Sequence, residues 1–192
     1  MIYAIVGAGG KTGLLKEMAA RFRKEGKSVF VTTTTHMFVE EDTLVTENVD
    51  NILKELEESG YVMAGSACGE KIQALPKEVY EEVCKYADEV LIEADGSKHL
   101  PLKFPNDTEP VIYENVEEII VVCGLHGLGK SAEEVVHRWE LAEKNIGLDK
   151  NEVIRSIHMQ ELLWKGYIEP LREKYADKKN VTAQDIAECY DQ

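Results

Sequence analysis

The chain of 192 residues is long enough for one compact domain with a substantial core, and 44% apolar with 30% charged residues excludes a disordered, collagenous or disulfide-scaffold chain. Lysine and arginine number 22 against 36 aspartates and glutamates, a formal net charge of −14. That balance disfavours nonspecific binding to nucleic acid or anionic lipid and leaves room only for a local basic pocket. The longest apolar runs, 1–6 and 119–123, fall far short of the roughly 18 residues that cross a bilayer, so no membrane span is expected. No basic residue precedes Lys11, so a secretory signal is not expected and the expected compartment is the cytoplasm. Cys68, Cys84, Cys123 and Cys189 are scattered without a CxxC spacing and are expected as reduced thiols.

In chain order, the apolar run 2–6 predicts a strand that ends in Gly-Ala-Gly-Gly-Lys-Thr-Gly, after which Leu14, Leu15, Met18, Ala19 and Phe22 recur at helical spacing up to Gly26. SVFVTTTT over 28–35 predicts a second strand, whose end carries the polar cluster Thr32 to His36. Strand, loop, helix and strand make a βαβ unit, and its short crossover predicts parallel neighbours in an α/β fold: a mainly parallel sheet with flanking helices. Ile52, Leu53 and Leu56 mark a further helix, 61–65 a short strand, and Val79, Val83 and Tyr86 a helix after Pro76. The run 89–94 is a strand leading into Asp95-Gly96-Ser97, and 98–110, with three of the five prolines, reads as an ordered loop. A buried strand over 119–123, the loop HGLGKS and a helix over 137–146 follow. Residues 151–192 read as a helical tail, and 1–192 as a single domain.

The densest chemical signal is Gly7, Ala8, Gly9, Gly10, Lys11 and Thr12 between a strand and a helix. Such a loop turns backbone N–H groups toward a polyphosphate at a helix N-terminus. Lys11 then reaches the β- and γ-phosphates and the Thr12 hydroxyl ligates Mg²⁺. The full GxxxxGK[ST] pattern is not met, because Ile5 stands at the first glycine position; the loop is instead similar to the shortened GxxGKT loop of Mur ligases. The blander reading is a glycine turn with a solvated lysine.

Mg²⁺ requires hard oxygen ligands, and the strand ending in Glu93-Ala94-Asp95 supplies two carboxylates spaced to point the same way. One is expected to hold the metal and the other to orient a nucleophile, although Asp95-Gly96 is also a common turn dipeptide. Thr34, Thr35 and His36 lie where ligands of open α/β sheets gather, and His36 is a candidate acid, base or ligand. His99, His126, His137 and His158 show no metal-ligand spacing; His137-Arg138 reads as an exposed pair. Cys123 reads as core, and HGLGKS as a substrate loop at most.

Taken together, GAGGKT, TTTTH, EADGSKHLPLK, VVCGLHGLGK and VHRWE, in this order and over about residues 2 to 166 where HMQELLWKG closes the match, resemble the YqeC family of selenium-dependent hydroxylase accessory proteins. The resemblance implies a P-loop NTPase-like protein that works in the maturation of selenium-dependent molybdenum hydroxylases. It maps a phosphate loop onto Gly7, Gly9, Gly10, Lys11 and Thr12, and a middle motif onto Thr34, Thr35 and His36. It maps an acidic motif onto Glu93, Asp95, Gly96, Ser97 and Lys98, followed by Pro101, Leu102 and Lys103, and a His-Arg pair onto His137 and Arg138. After Tyr167 the sequence lacks the strand and Asn-Lys-x-Asp-like stretch of that family, which leaves ATP and GTP both open.

The expected activity is Mg²⁺-dependent binding and hydrolysis, or use, of ATP or GTP. Lys11 and the loop amides neutralise phosphate charge, Thr12 and Asp95 hold Mg²⁺, and Glu93 or His36 positions water or an acceptor. Lys98 and Lys103 close over an anionic small molecule or cofactor. The expected partners are that molecule and a molybdenum hydroxylase or its maturation proteins. The rival readings are a Mur-like ligase or kinase and a noncatalytic cofactor carrier.

Overall fold

A computed structural model describes residues 1–175 and 180–185. The strands are β1 (Ile2–Gly7), β2 (Val29–Thr33), β3 (His36–Phe38), β4 (Thr43–Val45), β5 (Tyr61–Cys68), β6 (Lys71–Gln73), β7 (Glu89–Glu93), β8 (Leu102–Lys103), β9 (Glu118–Cys123), β10 (Val136–His137) and β11 (Asn180–Asp185). The α-helices are α1 (Lys11–Lys24), α2 (Val49–Ser59), α3 (Lys77–Val83), α4 (Ala132–Val135), α5 (Trp139–Ile146), α6 (Ser156–Leu163) and α7 (Glu169–Tyr175). Among the described residues nine strands form one sheet in the order β11-β9-β1-β7-β2-β5-β6-β3, with β4 beside β5, while β8 and β10 make a separate parallel pair.

The centre of the sheet, β11 to β5, is parallel, and β5-β6-β3 adds an antiparallel margin. β1, β7 and β9 carry apolar residues at odd and even positions, as a strand covered on both faces requires. Tyr3, Ile5, Leu91 and Val122 pack under Leu14, Leu15, Met18 and Phe22 of α1. Ala4, Val6, Ile92 and Val121 pack on the opposite face with Ile52 and Leu56 of α2, Tyr80 of α3, and Tyr167 and Leu171 near the end of the described chain. A third cluster, around Leu102, Phe104, Val136 and Met159, lies under the β8–β10 pair and joins it to α4, α5 and α6. The mixed α/β architecture with a mostly parallel sheet and flanking helices is thus the one expected. Among the described residues no helix is long and apolar enough to cross a membrane.

Several local expectations are corrected. β1 and β2 are not neighbours: β7, apolar on both faces, pairs in parallel with both, setting Glu93 level with Ile5 on one side and with Thr33 on the other. The second strand stops at Thr33, because the Thr33 hydroxyl bonds the Glu93 carbonyl at 2.8 Å and caps the Thr35 amide at 2.9 Å, turning the chain. His36 therefore opens β3, which, like β4 and β6, is three residues long and too short to show a period. In α3 Val83 is buried as expected and is joined by Tyr80, whereas Val79 is half-buried and Tyr86 lies beyond the helix and is exposed. Loop 98–110 contains β8. His137 belongs to β10 and Arg138 is left-handed, so α5 begins only at Trp139.

The 151–192 segment is not helical throughout. It contains a π-helical turn, Trp164–Ile168, and then β11, an edge strand whose residues from Asn180 to Asp185 pair with β9. Its backbone pairing, with only Val181 and Ala183 apolar, gives little signal in sequence. Among the described residues Cys68, Cys84 and Cys123 form no disulfide with one another, and Cys189 lies outside the described residues.

Gly7 ends β1 at φ +94°, and a Cβ there would lie 2.1 Å from the Val122 carbonyl oxygen of the neighbouring strand. Gly7→Ala combines a disfavoured backbone with a backbone clash, so it is expected to lower the unfolding free energy by about 3 kcal/mol in urea denaturation. An unchanged midpoint contradicts this packing.

Candidate functional site

Three chain reversals at the C-terminal edge of the parallel strands build the site: 7–13 after β1, 34–38 after β2 and 94–100 after β7. Together with Glu109, His126, His137 and Arg138 they line a cleft of about 780 Å³. This is the edge where open α/β sheets gather ligands.

The glycine loop is held from beneath. The Gly7 amide donates to Asp95 Oδ2 at 3.2 Å and the Ala8 amide to the Val122 carbonyl at 3.0 Å. Gly9 has φ +71° and lies so close to the Pro101 carbonyl and Gly124 that only glycine fits. Gly10, at φ +111°, caps the N-terminus of α1, and the first-turn amides of Lys11, Thr12 and Gly13 have no intrahelical acceptor. No acidic residue occupies that first turn, whereas Arg21, Arg23 and Lys24 occupy the last, so the positive end of the helix dipole faces the cleft uncompensated by its own turn.

Lys11 is buried, its Nζ donating to the Gly7 carbonyl at 2.9 Å and more distantly to Ser97 Oγ at 3.5 Å. Burial pushes the ammonium pKa down, opposed by the charges of Glu93 and Asp95. The Thr12 hydroxyl donates to Glu93 Oε2 at 3.2 Å. Burial pushes the Glu93 carboxyl up, opposed by Lys11 and by the Thr12 hydroxyl. A hydroxyl and a carboxylate therefore meet beside a partly desolvated ammonium at a helix N-terminus. Among the described residues no three His, Cys, Asp or Glu side chains converge on one point, so a divalent ion here must draw most of its ligands from phosphate and water, as Mg²⁺ commonly does.

Asp95 and Lys103 depart from their expected roles. Both side chains are fully buried and pair with each other. Asp95 also accepts from the Gly7 amide and, at 2.5 Å, from the Tyr167 hydroxyl, while Lys103 reaches the Gly96 carbonyl and, at 2.6 Å, Glu109 Oε2. Neither lines the cleft, so Asp95 is satisfied by protein donors rather than presented to a metal, and Lys103 cannot close over a substrate. Thr34 is likewise structural, its hydroxyl donating to the Val111 carbonyl at 2.9 Å. Thr35, His36, Ser97 and Lys98 do line the cleft with Gly9 to Thr12, whereas Gly7 and Ala8 do not, their amides being spent on Asp95 and Val122 beneath the loop.

Glu109, which the sequence did not signal, completes the cleft with His137 and Arg138, the pair that the family resemblance marks. Arg138 is not a plain surface residue: its guanidinium grips both oxygens of Glu109. Burial pushes Glu109 up, but the bonds from Arg138 and Lys103 outweigh it and hold the carboxyl below its usual range. Burial and the charges of Arg138, Lys103 and Lys98 push His137 down. Of the three carboxylates at the cleft, Glu40 pairs with Lys16 and Glu109 with Lys103 and Arg138, leaving Glu93 beside Lys11. Lys11, Lys71, Lys98 and Arg138 on its walls outnumber these carboxylates by one, so the cleft escapes the acidic balance of the chain as a whole.

The family model described as "YqeC protein" matches residues 3–140. Among curated proteins, the chain is 35% identical over 150 residues to "Uncharacterized protein YqeC" of Escherichia coli (strain K12), a match covering 72% of this chain and 57% of that protein. The match thus spans a little over half the length of that relative. No solved structure matches the chain.

The buried pair provides the test of this construction. Lys103→Met leaves Asp95 and Glu109 without their shared cation and is expected to cost about 3–5 kcal/mol in urea denaturation, whereas Lys98→Met on the exposed neighbouring turn changes stability by less than about 0.5 kcal/mol. Equal effects of the two substitutions contradict the network.

Proposed function

The chain belongs to the YqeC family, and from that membership together with the geometry of the cleft we propose that it binds a nucleoside triphosphate with Mg²⁺ and cleaves or transfers its terminal phosphoryl group. The observation that carries this reading is the convergence of the buried Lys11 ammonium, the open first-turn amides of α1 and the Thr12–Glu93 pair on one cleft. The strand, glycine loop and helix order, with an acidic strand beside it, supports a P-loop NTPase-like fold.

Lys11 and the amides of residues 11–13 bind phosphate oxygens and offset the charge that develops during transfer. An anion there also removes the cost that burial imposes on the Lys11 charge. Thr12 and Glu93 are the residues that would hold Mg²⁺: both offer hard oxygens, and an arriving cation offsets the burial that now pushes Glu93 up. When bound, the ion supplies charge neutralisation to the phosphates. His36, exposed on β3 across the cleft, is the candidate that orients water or an acceptor hydroxyl.

Lys98, exposed on the turn after β7 at the cleft, supports an anionic second substrate, which favours transfer or ligation over simple hydrolysis. Maturation of selenium-dependent molybdenum hydroxylases in the cytoplasm is the setting proposed for this activity, supported by the family resemblance alone.

Calorimetric titration with ATP and GTP, with and without Mg²⁺, tests the reading. Saturable, Mg²⁺-dependent binding that weakens about 100-fold in Lys11→Ala is expected, the loss of one charge-assisted bond in a buried site. Absence of nucleotide binding at millimolar concentration, or binding indifferent to Lys11, contradicts it.

A further inference from the structure

Part of the cleft lining is not explained by phosphate chemistry. Among its described lining residues only Met37, Phe38 and Leu100 have apolar side chains. Met37 points inward from β3 and is buried. Phe38, with the opposite alternation, shares the outer face of that strand with His36 and is 48% exposed. A single exposed aromatic ring is ordinary by itself, and what distinguishes Phe38 is the set of side chains gathered on it beside the cleft.

Phe38 is not loose. The His99 ring stacks on it with centroids 5.4 Å apart and planes 29° from parallel, and the Lys71 ammonium lies 4.5 Å from the Phe38 centroid. The three side chains come from three separate segments: β3, β6 and the turn after β7. His99 reaches this position through two successive left-handed non-glycine residues, Lys98 at φ 50° and His99 at φ 62°, closed by a 3.0 Å bond from the Leu100 amide to the Ser97 carbonyl. Left-handed backbone at two consecutive side-chain-bearing residues is uncommon and is found where the surroundings impose it. Here the turn carries Ser97, beside Lys11, at its start and His99, on Phe38, near its end. One short strained segment therefore joins the phosphate end of the cleft to the aromatic end.

We propose that Phe38, His99 and Lys71 form the seat for a planar heteroaromatic ring covalently joined to the phosphate chain held by Lys11, a nucleobase being the simplest such ring. The inference rests on the phosphate reading of the same cleft and adds which part of the ligand occupies its mouth. A ring entering there extends an existing stack, and the flexible Lys71 stem swings aside at little cost. Phe38 has no group that reads a base edge, so the aromatic surface holds adenine and guanine alike. The seat separates ligands with a ring from bare polyphosphates.

The test is titration of the full chain, with Mg²⁺, by ATP, GTP and inorganic tripolyphosphate. Phe38→Ala is expected to weaken ATP and GTP together about ten-fold while leaving tripolyphosphate within about two-fold of wild type, and Phe38→Trp to retain nucleotide affinity, because a base–aromatic stack contributes at this scale. Since Phe38 is exposed, its truncation leaves the core intact, and an unchanged circular-dichroism melt checks this. Nucleotide affinity unaffected by Phe38→Ala, or tripolyphosphate weakened as much as ATP, overturns the ring seat while the phosphate loop stands. If wild type binds no tripolyphosphate and no nucleotide, or Lys11→Ala weakens neither, the phosphate reading falls and this inference falls with it.

Discussion

The Asp95–Lys103 ion pair, shut off from solvent at both ends, ties together the segments that meet at the cleft. A buried pair of this kind adds little net stability, since desolvating two charges costs about what their attraction returns. Removing one partner is a different matter, because the other is left buried and uncompensated. The pair therefore selects geometry. Asp95 fixes the entry to the glycine loop through the Gly7 amide, and Lys103 fixes the turn after β7 through the Gly96 carbonyl. Glu109 extends the chain of charges to Arg138, and Tyr167 closes it from the π-helical turn. Burial and the neighbouring Asp95 carboxylate drive the Tyr167 hydroxyl far above its ordinary pKa, so it stays a donor throughout the working range.

With that frame fixed, the cleft presents groups that burial has made sensitive to a ligand. Lys11 is pushed toward losing its proton and Glu93 toward keeping one. On the proposed reading, an anion beside Lys11 and a cation beside Glu93 would each reverse the shift, which is why that reading has the two bind together. Long-range electrostatics work the other way: a chain of net charge −14 repels a free nucleotide, and the local cations must overcome that field. A metal-complexed nucleotide carries less negative charge and meets a smaller barrier.

Much of the fold was legible because β1, β2, β7 and β9 are each built on a continuous apolar run, 2–6, 29–31, 90–92 and 119–123, and α1 has a clear helical period. The glycine loop was legible for the same reason: Gly7, Gly9 and Gly10 all take positive φ, which the cluster of glycines announces. Insertion of β7 between β1 and β2 was not, since strand order depends on contacts between residues far apart in sequence. The same limit explains Asp95. Its spacing from Glu93 suggested a second metal ligand, but its partners, Gly7, Lys103 and Tyr167, lie 88, 8 and 72 residues away. Phe38, Lys71 and His99 left no signal at all, because each is an ordinary surface residue until the short strands β3 and β6 bring them together. β11 escaped notice because an edge strand needs little apolar sequence once β9 offers it a backbone partner.

The most direct test is a crystal structure of the full chain with Mg²⁺ and a non-hydrolysable triphosphate analogue. The account predicts phosphate oxygens on the amides of residues 11–13 and on Lys11 Nζ, with the metal beside Thr12 and Glu93 and the Asp95–Lys103 pair intact. Phosphate bound elsewhere, or Asp95 released from Lys103 to ligate the metal, would contradict it.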